Sequence, residues 1–354
     1  MKKETGIPRA LSYYNNYPFY KGFFDELGIK VILSDKTTTK LINDGSKFVV
    51  SDTCLPIKVF MGHVNNLIEK GVENIFVPSI QSIGYKINNC SKIRALPDIV
   101  RNTVKKKIRI IEPVLDKTEN IGIFDFCTQI ANSFEIYDKK QIKKAMENGF
   151  SYYNNFLMMT QSGIPYIQAL NNSLDGIFEK KNIELVRPIS LCIMGHGYNL
   201  FDERISLNLI KKLEKMNIKV YTSLDVPKDK ALFALNKTGE IQYWANELEL
   251  TGVAAYCMQN KKIDGIIALS TFGCGPDSLM VNEINYHAKD KKIPMIHLTI
   301  DEHTGEAGFV TRIEAFVDMI TRSKKQNLIK KQELKPLIKE KQTEIQAERY
   351  KRDK

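Results

Sequence analysis

The sequence lacks a long hydrophobic run. No apolar stretch among its 354 residues reaches the length of about 18 residues that a membrane helix needs, and the stretch from Met1 to Arg9 contains no apolar signal core. We therefore expect a cytoplasmic protein without a membrane partner. Thiols stay reduced in that compartment, so the six cysteines are not expected to form a disulfide framework. Metal binding and simple burial are the two alternatives.

The sequence also lacks the common nucleotide-binding motifs. No complete G-x-G-x-x-G and no G-x-x-x-x-G-K-[ST] stands at a strand-to-helix turn. We therefore predict neither a dinucleotide nor a P-loop nucleotide in this chain. RNA-binding and DNA-binding motifs are missing as well, so no nucleic-acid partner is expected.

The formal net charge of +11 is concentrated at the C-terminal end. Residues 323–354 contain eleven Lys or Arg and five Asp or Glu. Their net charge of +6 is more than half of the total of +11. This stretch is polar and free of glycine, and its pattern predicts a basic helical tail. We interpret it as a solvated tail or an extra docking helix, with partner or nucleic-acid binding as the alternative.

Short apolar runs alternate with helical patterns along most of the chain. The runs are apolar throughout, which is typical of strands buried on both faces of a parallel sheet. The alternation predicts an α/β protein of two doubly wound domains joined by a helical linker. The predicted boundaries are 1–138 for the first domain, 139–185 for the linker, 186–322 for the second domain and 323–354 for the tail. The predicted strands are Lys30–Ser34, Asn74–Pro78, Ile108–Ile111, Ile189–Met194, Lys219–Thr222, Gly265–Leu269 and Pro294–Leu298.

Three cysteines stand in loops that open helices or follow strands. Cys54 precedes Pro56 at the start of a predicted helix, Cys90 lies in the loop region after a strand, and Cys274 lies between two glycines at a strand end. Ligands bind at the carboxyl ends of strands in open α/β sheets, and helix N-termini stabilise thiolates. A metal role for these three is one interpretation. There is no C-x-x-C pair, so the spacing matches neither a zinc ribbon nor a ferredoxin.

The other three cysteines stand in apolar surroundings. Cys192 lies inside a predicted strand and Cys257 on a helical apolar face, while Cys127 follows Phe124-Asp125-Phe126. Free cysteine is among the residue types most often buried. We expect Cys192 and Cys257 to fill the core, and burial is the default for Cys127 as well.

An ordered set of motifs runs along the chain. Its members are Gly6-Ile7-Pro8-Arg9-Ala10-Leu11, Tyr17-Pro18-Phe19-Tyr20, Cys54-Leu55-Pro56-Ile57-Lys58, Asn89-Cys90-Ser91, Gly195-His196-Gly197-Tyr198-Asn199-Leu200, Phe272-Gly273-Cys274-Gly275-Pro276-Asp277-Ser278 and Asp301-Glu302-His303-Thr304-Gly305-Glu306-Ala307-Gly308. Taken together, these motifs resemble the acyl-CoA dehydratase activase-related proteins, which belong with the 2-hydroxyacyl-CoA dehydratase subunits and the double-cubane cluster proteins of anaerobes. The resemblance covers about residues 6 to 322.

The resemblance implies two Rossmann-like or flavodoxin-like domains with an iron–sulfur cluster in the cleft between them. Dehydratase subunits of this group hold a 4Fe–4S cluster with three cysteines and leave one iron for another ligand. The matching positions here are Cys54, Cys90 and Cys274. An 8Fe–9S double cubane, which takes six cysteines, is the alternative, because the chain has six in all.

The resemblance also implies partners and a function. A separate ATP-hydrolysing iron–sulfur activator would deliver an electron for dehydration or reduction of a small, acyl-CoA-like substrate, and the chain would work as a homodimer or heterodimer. The enzyme would then be an iron–sulfur lyase or an ATP-dependent reductase component. A non-catalytic accessory that docks the activator, and a plain α/β protein with core cysteines, are the alternatives.

Two residues are candidates for a catalytic role. His196 ends a predicted strand, where it either faces the cleft or forms a turn bonded to the backbone. Glu306 opens a helix, where it acts either as a cleft acid or as a first-turn acid that complements the helix dipole.

Overall fold

The computed structural model describes residues 3–177, 187–239, 242–260 and 263–327. The chain divides into two compact units, Met1–Thr304 and Gly305–Lys354. In the second unit, residues 306–327 are helical. Most of the predicted basic tail, residues 328–354, lies outside the described residues, and the predicted domain boundaries stay predictions.

Strands and helices alternate through the first unit. Among the described helices, none is both long and apolar enough to cross a membrane. The strands are β1 Glu4–Ile7, β2 Lys30–Leu33, β3 Asn74–Phe76, β4 Ser79–Gly84, β5 Ile87–Asn88, β6 Arg109–Ile111, β7 Val114–Asp116, β8 Ile189–Met194, β9 Ile218–Tyr221, β10 Gly265–Thr271 and β11 Met295–Ile300. The helices are α1 Tyr13–Glu26, α2 Thr39–Ser46, α3 Leu55–Glu69, α4 Ser91–Arg94, α5 Leu96–Thr103, α6 Ile123–Asn132, α7 Lys139–Gln161, α8 Tyr166–Leu174, α9 Gly197–Leu200, α10 Leu209–Lys215, α11 Lys228–Asn236, α12 Ala245–Asn260 and α13 Gly275–Asp290.

Two four-stranded sheets have the same strand order. The first runs β2-β1-β3-β6 and the second β11-β10-β8-β9, and all neighbouring strands in both are parallel. Counted along the chain within each sheet and read from one edge, both orders are 2-1-3-4, the beginning of the flavodoxin-like order. The two sheets confirm the predicted α/β class with parallel strands and are consistent with Rossmann-like folds.

The strand order reverses between β1 and β3 in the first sheet and between β8 and β10 in the second. Chain connections leave such a point in opposite directions and open a crevice at the carboxyl ends of the strands. In the second sheet, β8 ends just before His196 and β10 ends just before Cys274. The fold therefore brings these two residues to the same edge of the sheet, at the crevice.

A third, smaller sheet was not predicted. It has the order β5-β4-β7, with β4 antiparallel to β5 and parallel to β7. The strand β4 is rich in Ser, Gln and Gly, so it lacks the apolar run by which the predicted strands are recognised. The hairpin of β4 and β5 leads directly into Cys90.

The predicted helical linker corresponds to α7 and α8, and its last residues, 178–185, lie outside the described residues. The helix α7 packs closely against α1, where Asn148 Nδ2 donates a hydrogen bond to the carbonyl oxygen of Gly22 over 2.8 Å. A Cβ atom on Gly149 would lie 2.8 Å from the carbonyl oxygen of Phe19. This short approach explains the glycine, because any larger residue would push the two helices apart.

A buried hydrogen-bond network connects the ends of β2 and α9 with α3. The Nδ1 atom of His63 lies 2.8 Å from Ser34 Oγ, and its Nε2 atom lies 3.0 Å from Thr37 Oγ1. Thr37 also donates to Asp202, whose Oδ2 accepts a hydrogen bond of 2.7 Å from Tyr14. Every nitrogen of the imidazole is thus partnered, which supports a structural role for His63.

Burial gives His63 a pH-dependent effect on stability. Burial of the ring and, to a smaller extent, the charge of Arg9 together lower the pKa of His63 to about 3. Between pH 6.5 and about 3, the unfolded chain binds a proton on this ring and the folded chain does not. Stability should therefore fall as the pH falls, by about 1.4 kcal/mol per pH unit for this one group.

The His63→Gln variant tests this expectation. Urea unfolding of both proteins between pH 4 and 6 should show a free energy of unfolding that declines less steeply in the variant, by the contribution of about one proton. Equal slopes in the two proteins would show that His63 takes up a proton in the folded state.

Candidate functional site

The three cysteines singled out from the sequence all stand directly before helices. Cys54 precedes α3, Cys90 precedes α4 and Cys274 precedes α13. All three are partly exposed, whereas Cys127, Cys192 and Cys257 are buried. Proline in the first turn of α3 and of α13 helps to fix where those helices begin.

The thiols of Cys274 and Cys90 lie close enough to that of Cys54 to affect its pKa. Burial raises the pKa of Cys54, the positive charge of Lys92 opposes this effect, and the neighbouring Cys274 and Cys90 add to it. A Cβ atom on Gly273 would lie 3.7 Å from the carbonyl oxygen of Asp52, so the loops before Cys54 and Cys274 adjoin. The structure therefore brings Cys54, Cys90 and Cys274 together.

The remaining cysteines lie in the hydrophobic core. Cys192 on β8 and Cys257 on α12 are hydrogen-bonded to each other within the cluster of apolar side chains behind the second sheet. Cys127 on α6 is fully buried, and burial raises the pKa of its thiol to about 12. These positions confirm the prediction that Cys192 and Cys257 fill the core, and they place Cys127 in the core as well.

A buried group of polar residues lies beside Cys274. The Nε2 atom of His196 is 2.5 Å from Asp277 Oδ1 and 3.6 Å from Glu247 Oε1. The three side chains are almost completely buried, and their ligand atoms lie within 4.8 Å of one another, which is close enough to hold a metal ion. The ring of Tyr198 stacks on that of His196 at a centroid distance of 4.9 Å.

The electrostatics of this group couple it to Cys274. Burial by itself lowers the pKa of His196, but the charge of Asp277 and hydrogen bonds to Asp277 and Cys274 raise it well above its usual value. Burial raises the pKa of Cys274, and the hydrogen bond from His196 acts in the opposite direction. Burial by itself raises the pKa of Asp277, but the charge of His196 and hydrogen bonds with His196, Thr271 and Cys274 together lower it below its usual value.

Sequence reasoning selected His196 but missed Glu247, Asp277 and Tyr198 as members of this group. One signal was present for Asp277, since it stands in the first turn of the helix that begins after Cys274. Glu247 carries no such signal, because it lies on α12, which follows a different loop and reaches His196 only through the fold.

A buried lysine connects the loop before Cys54 with the loop after β11. Lys58 on α3 is 4% exposed, and its Nζ donates a hydrogen bond of 2.7 Å to the carbonyl oxygen of Ser51. The same nitrogen lies 2.5 Å from Glu302 Oε1. Burial by itself raises the pKa of Glu302, but the hydrogen bond with Lys58 lowers it below its usual value. The sequence analysis did not identify this pair.

Glu306 stands in the first turn of the helix at residues 306–327 and is exposed. It belongs to the second compact unit. Its role as a cleft acid or a first-turn acid stays a prediction.

A large cavity lies away from the cysteines. A cavity of about 860 Å³ lies beside β9 and the loop before α8, and its lining includes the rings of Tyr166 and Phe201, which stack at a centroid distance of 4.1 Å. None of the six cysteines lines this cavity. A much smaller one, of about 10 Å³, lies between Leu55 and Tyr198, next to Cys54 in the sequence. We place the candidate site at the cysteines, because donor atoms and not empty volume determine the chemistry.

The sequence was compared with known protein families. The family described as CoA enzyme activase uncharacterised domain matches residues 4–225, which is more than half of the chain. The chain belongs to this activase-related family. The 2-hydroxyglutaryl-CoA dehydratase D-component also matches the activase-related protein, over residues 253–320. No curated protein matches the chain.

Both matches contain residues of the candidate site. The first includes Cys54, Cys90 and His196, and the second includes Cys274 and Asp277. They confirm the resemblance to the activase-related and 2-hydroxyacyl-CoA dehydratase group that the motifs indicated.

The donor set of the activase-related protein fits an iron–sulfur cluster. Iron–sulfur clusters are held by cysteine thiolates, and Cys54, Cys90 and Cys274 offer three sulfurs at one place. Each sulfur stands where a helix begins, and the N–H groups of a first turn stabilise negative charge. Without a cation, burial raises the pKa of Cys54 and Cys274, whereas a coordinated thiol is deprotonated by the metal.

Replacing Lys58 tests how the cysteine loop is held. In Lys58→Met, the Glu302 carboxylate, 19% exposed, loses its cation. We expect a loss of about 2 kcal/mol in the free energy of unfolding, below the 3–5 kcal/mol for a fully buried pair, because water reaches Glu302. Urea unfolding measures this loss.

A double-mutant cycle with Glu302→Gln provides the control. The second substitution should cost less in the Lys58→Met background than in the wild type. Additive losses would contradict a direct interaction between the two side chains.

Proposed function

We propose that this activase-related protein holds an iron–sulfur cluster through Cys54, Cys90 and Cys274. The observation that carries the proposal is the meeting of three partly exposed thiols, each at the start of a different helix, with Cys274 and Cys90 close enough to Cys54 to raise the pKa of its thiol. Such an arrangement is unfavourable for three thiolates alone, because like charges repel. A cluster that carries positive iron removes this cost.

A single 4Fe–4S cluster fits the cysteines better than a double cubane. A double cubane would require six sulfurs at one site, but Cys192 and Cys257 bond to each other in the core and Cys127 is fully buried. Three thiolates bind three of the four irons and leave one iron for another ligand. When bound, the cluster supplies one-electron redox chemistry, and its potential depends on burial and on hydrogen bonds to sulfur.

The proposed role is that of an electron acceptor. The sequence contains no complete P-loop motif, so the energy of ATP hydrolysis would come from a separate activator protein. The families that match are an activase domain and a dehydratase component, which supports a partner of this kind. The chain's own residues bind the cluster, shield it in the crevice and orient its ligands.

The proposed substrate is a small acyl-CoA-like thioester. One of the two family matches is to a component of 2-hydroxyglutaryl-CoA dehydratase, which supports dehydration of a 2-hydroxyacyl thioester as the reaction. Loss of water from such a substrate is redox-neutral overall, so an electron that starts the reaction is returned at its end. The alternative reaction is the reduction of a related substrate, which would consume the electron.

Iron and sulfide analysis of anaerobically purified protein tests the cluster. The wild type should contain about four irons and about four sulfides per chain. The Cys54→Ala, Cys90→Ala and Cys274→Ala variants should each lose most of the iron, because removing a ligand from a three-cysteine site leaves two. Cys192→Ala is the matched control and should keep the iron of the wild type.

Four outcomes would contradict the proposal. A wild type without iron would exclude any cluster, and about eight irons per chain would favour the double cubane. Loss of iron in Cys192→Ala, with the fold intact by circular dichroism, would show that the core cysteines take part. If the cluster is present but an ATP-hydrolysing activator fails to reduce it, the chain is an accessory and not the electron acceptor.

A further inference from the structure

The three proposed ligands have different surroundings. The thiol of Cys274 is hydrogen-bonded to His196 and to Asp277. Cys54 instead has the positive charge of Lys92 near its thiol. Neutral and charged donors near a thiolate sulfur draw electron density from it, so one ligand of the cluster would differ from another in its electronic properties.

The two partners of Cys274 are held rigidly. Side-chain exposure is 4% for His196 and 1% for Asp277, and 2.5 Å separates their Nε2 and Oδ1 atoms. The second oxygen of Asp277 accepts a hydrogen bond of 3.3 Å from the backbone N–H of Thr271, at the end of β10. The ring of Tyr198 stacks on the imidazole. The position of the imidazole is therefore fixed by contacts with the protein's own residues.

The residues around Cys274 follow two different strands of the second sheet, on both sides of the point where its strand order reverses. His196 follows β8, whereas Asp277 and Cys274 follow β10. Glu247, from α12, adds a second carboxylate 3.6 Å from His196 Nε2. One imidazole and two carboxylates are thus buried beside a single sulfur, and in a water-poor interior their fields act strongly on that sulfur.

We propose that His196 and Asp277 are positioning residues that set the reduction potential of the cluster through Cys274. The proposal rests on the proposed function. His196 donates an N–H group toward the sulfur and stabilises the added negative charge of the reduced form, while Asp277 fixes the imidazole in that orientation. One electron passes from an external donor to the cluster, and no covalent bond forms or breaks.

Potentiometric titration followed by electron paramagnetic resonance tests the proposal. Dithionite, with redox mediators, is the reductant, so the measurement requires neither substrate nor activator. His196→Gln should shift the midpoint potential to a more negative value, because the neutral amide of glutamine stabilises the added negative charge of the reduced form less than the imidazole paired with Asp277 does, while its iron content stays at that of the wild type. His63→Gln is the matched control: it removes another buried histidine, which bonds to Ser34 and Thr37, and it should leave the potential unchanged.

A double-mutant cycle tests whether Asp277 acts through His196. Asp277→Asn should change the midpoint potential in the wild-type background and change it less in the His196→Gln background. This outcome is expected of a residue that orients another one. A residue that only maintains the fold would change both backgrounds equally.

The possible failures are distinguishable. A wild type that takes up no iron overturns the proposed function and this inference with it. A full cluster whose potential is the same in the wild type and in His196→Gln overturns the inference and leaves the proposed function in place. Loss of iron from folded His196→Gln also overturns it, because His196 would then hold the cluster and not tune it. Additive shifts in the cycle overturn the role of Asp277.

Discussion

Parallel strand pairing determines where the chemistry of this protein lies. A parallel strand requires a crossover connection, and here the crossovers contain helices that return the chain to the starting edge of the sheet. The carboxyl ends of the strands and the first turns of the following helices therefore collect at one edge. The result in the second sheet is that His196 and Cys274, almost 80 residues apart in the sequence, stand beside each other at the crevice.

The candidate site buries ionisable groups together, which is unfavourable unless a cation balances their negative charge. It gathers three thiols and, next to one of them, a buried imidazole with two carboxylates. The charged groups at and near the site have partners within the protein. Asp277 contacts His196 and the amide of Thr271, and Lys58, on the helix that follows Cys54, contacts Glu302. Iron bound by Cys54, Cys90 and Cys274 would bring positive charge to this place, which is what the proposed function requires.

Much of the fold could be predicted from the sequence. The long apolar runs correspond to β2, β3, β6, β8, β9, β10 and β11, because burial on both faces leaves a clear pattern. The strands β1 and β4 were not predicted, because polar residues and glycine interrupt their apolar residues.

The candidate site was only partly predictable. Cys54, Cys90 and Cys274 could be selected since each stands beside a sequence signal for a helix start or a strand end. Glu247 and the pairing of Lys58 with Glu302 could not, because they depend on contacts between segments far apart in the chain. Local pattern identifies residues at the ends of elements, whereas the neighbours of those residues follow from packing.

Mössbauer spectroscopy of the anaerobically purified, iron-57-enriched protein tests the central claim most directly. A 4Fe–4S cluster held by Cys54, Cys90 and Cys274 should show one iron that differs from the other three, because that iron lacks a thiolate ligand. A spectrum with four equivalent thiolate-bound irons, or a protein without cluster iron, would contradict the account.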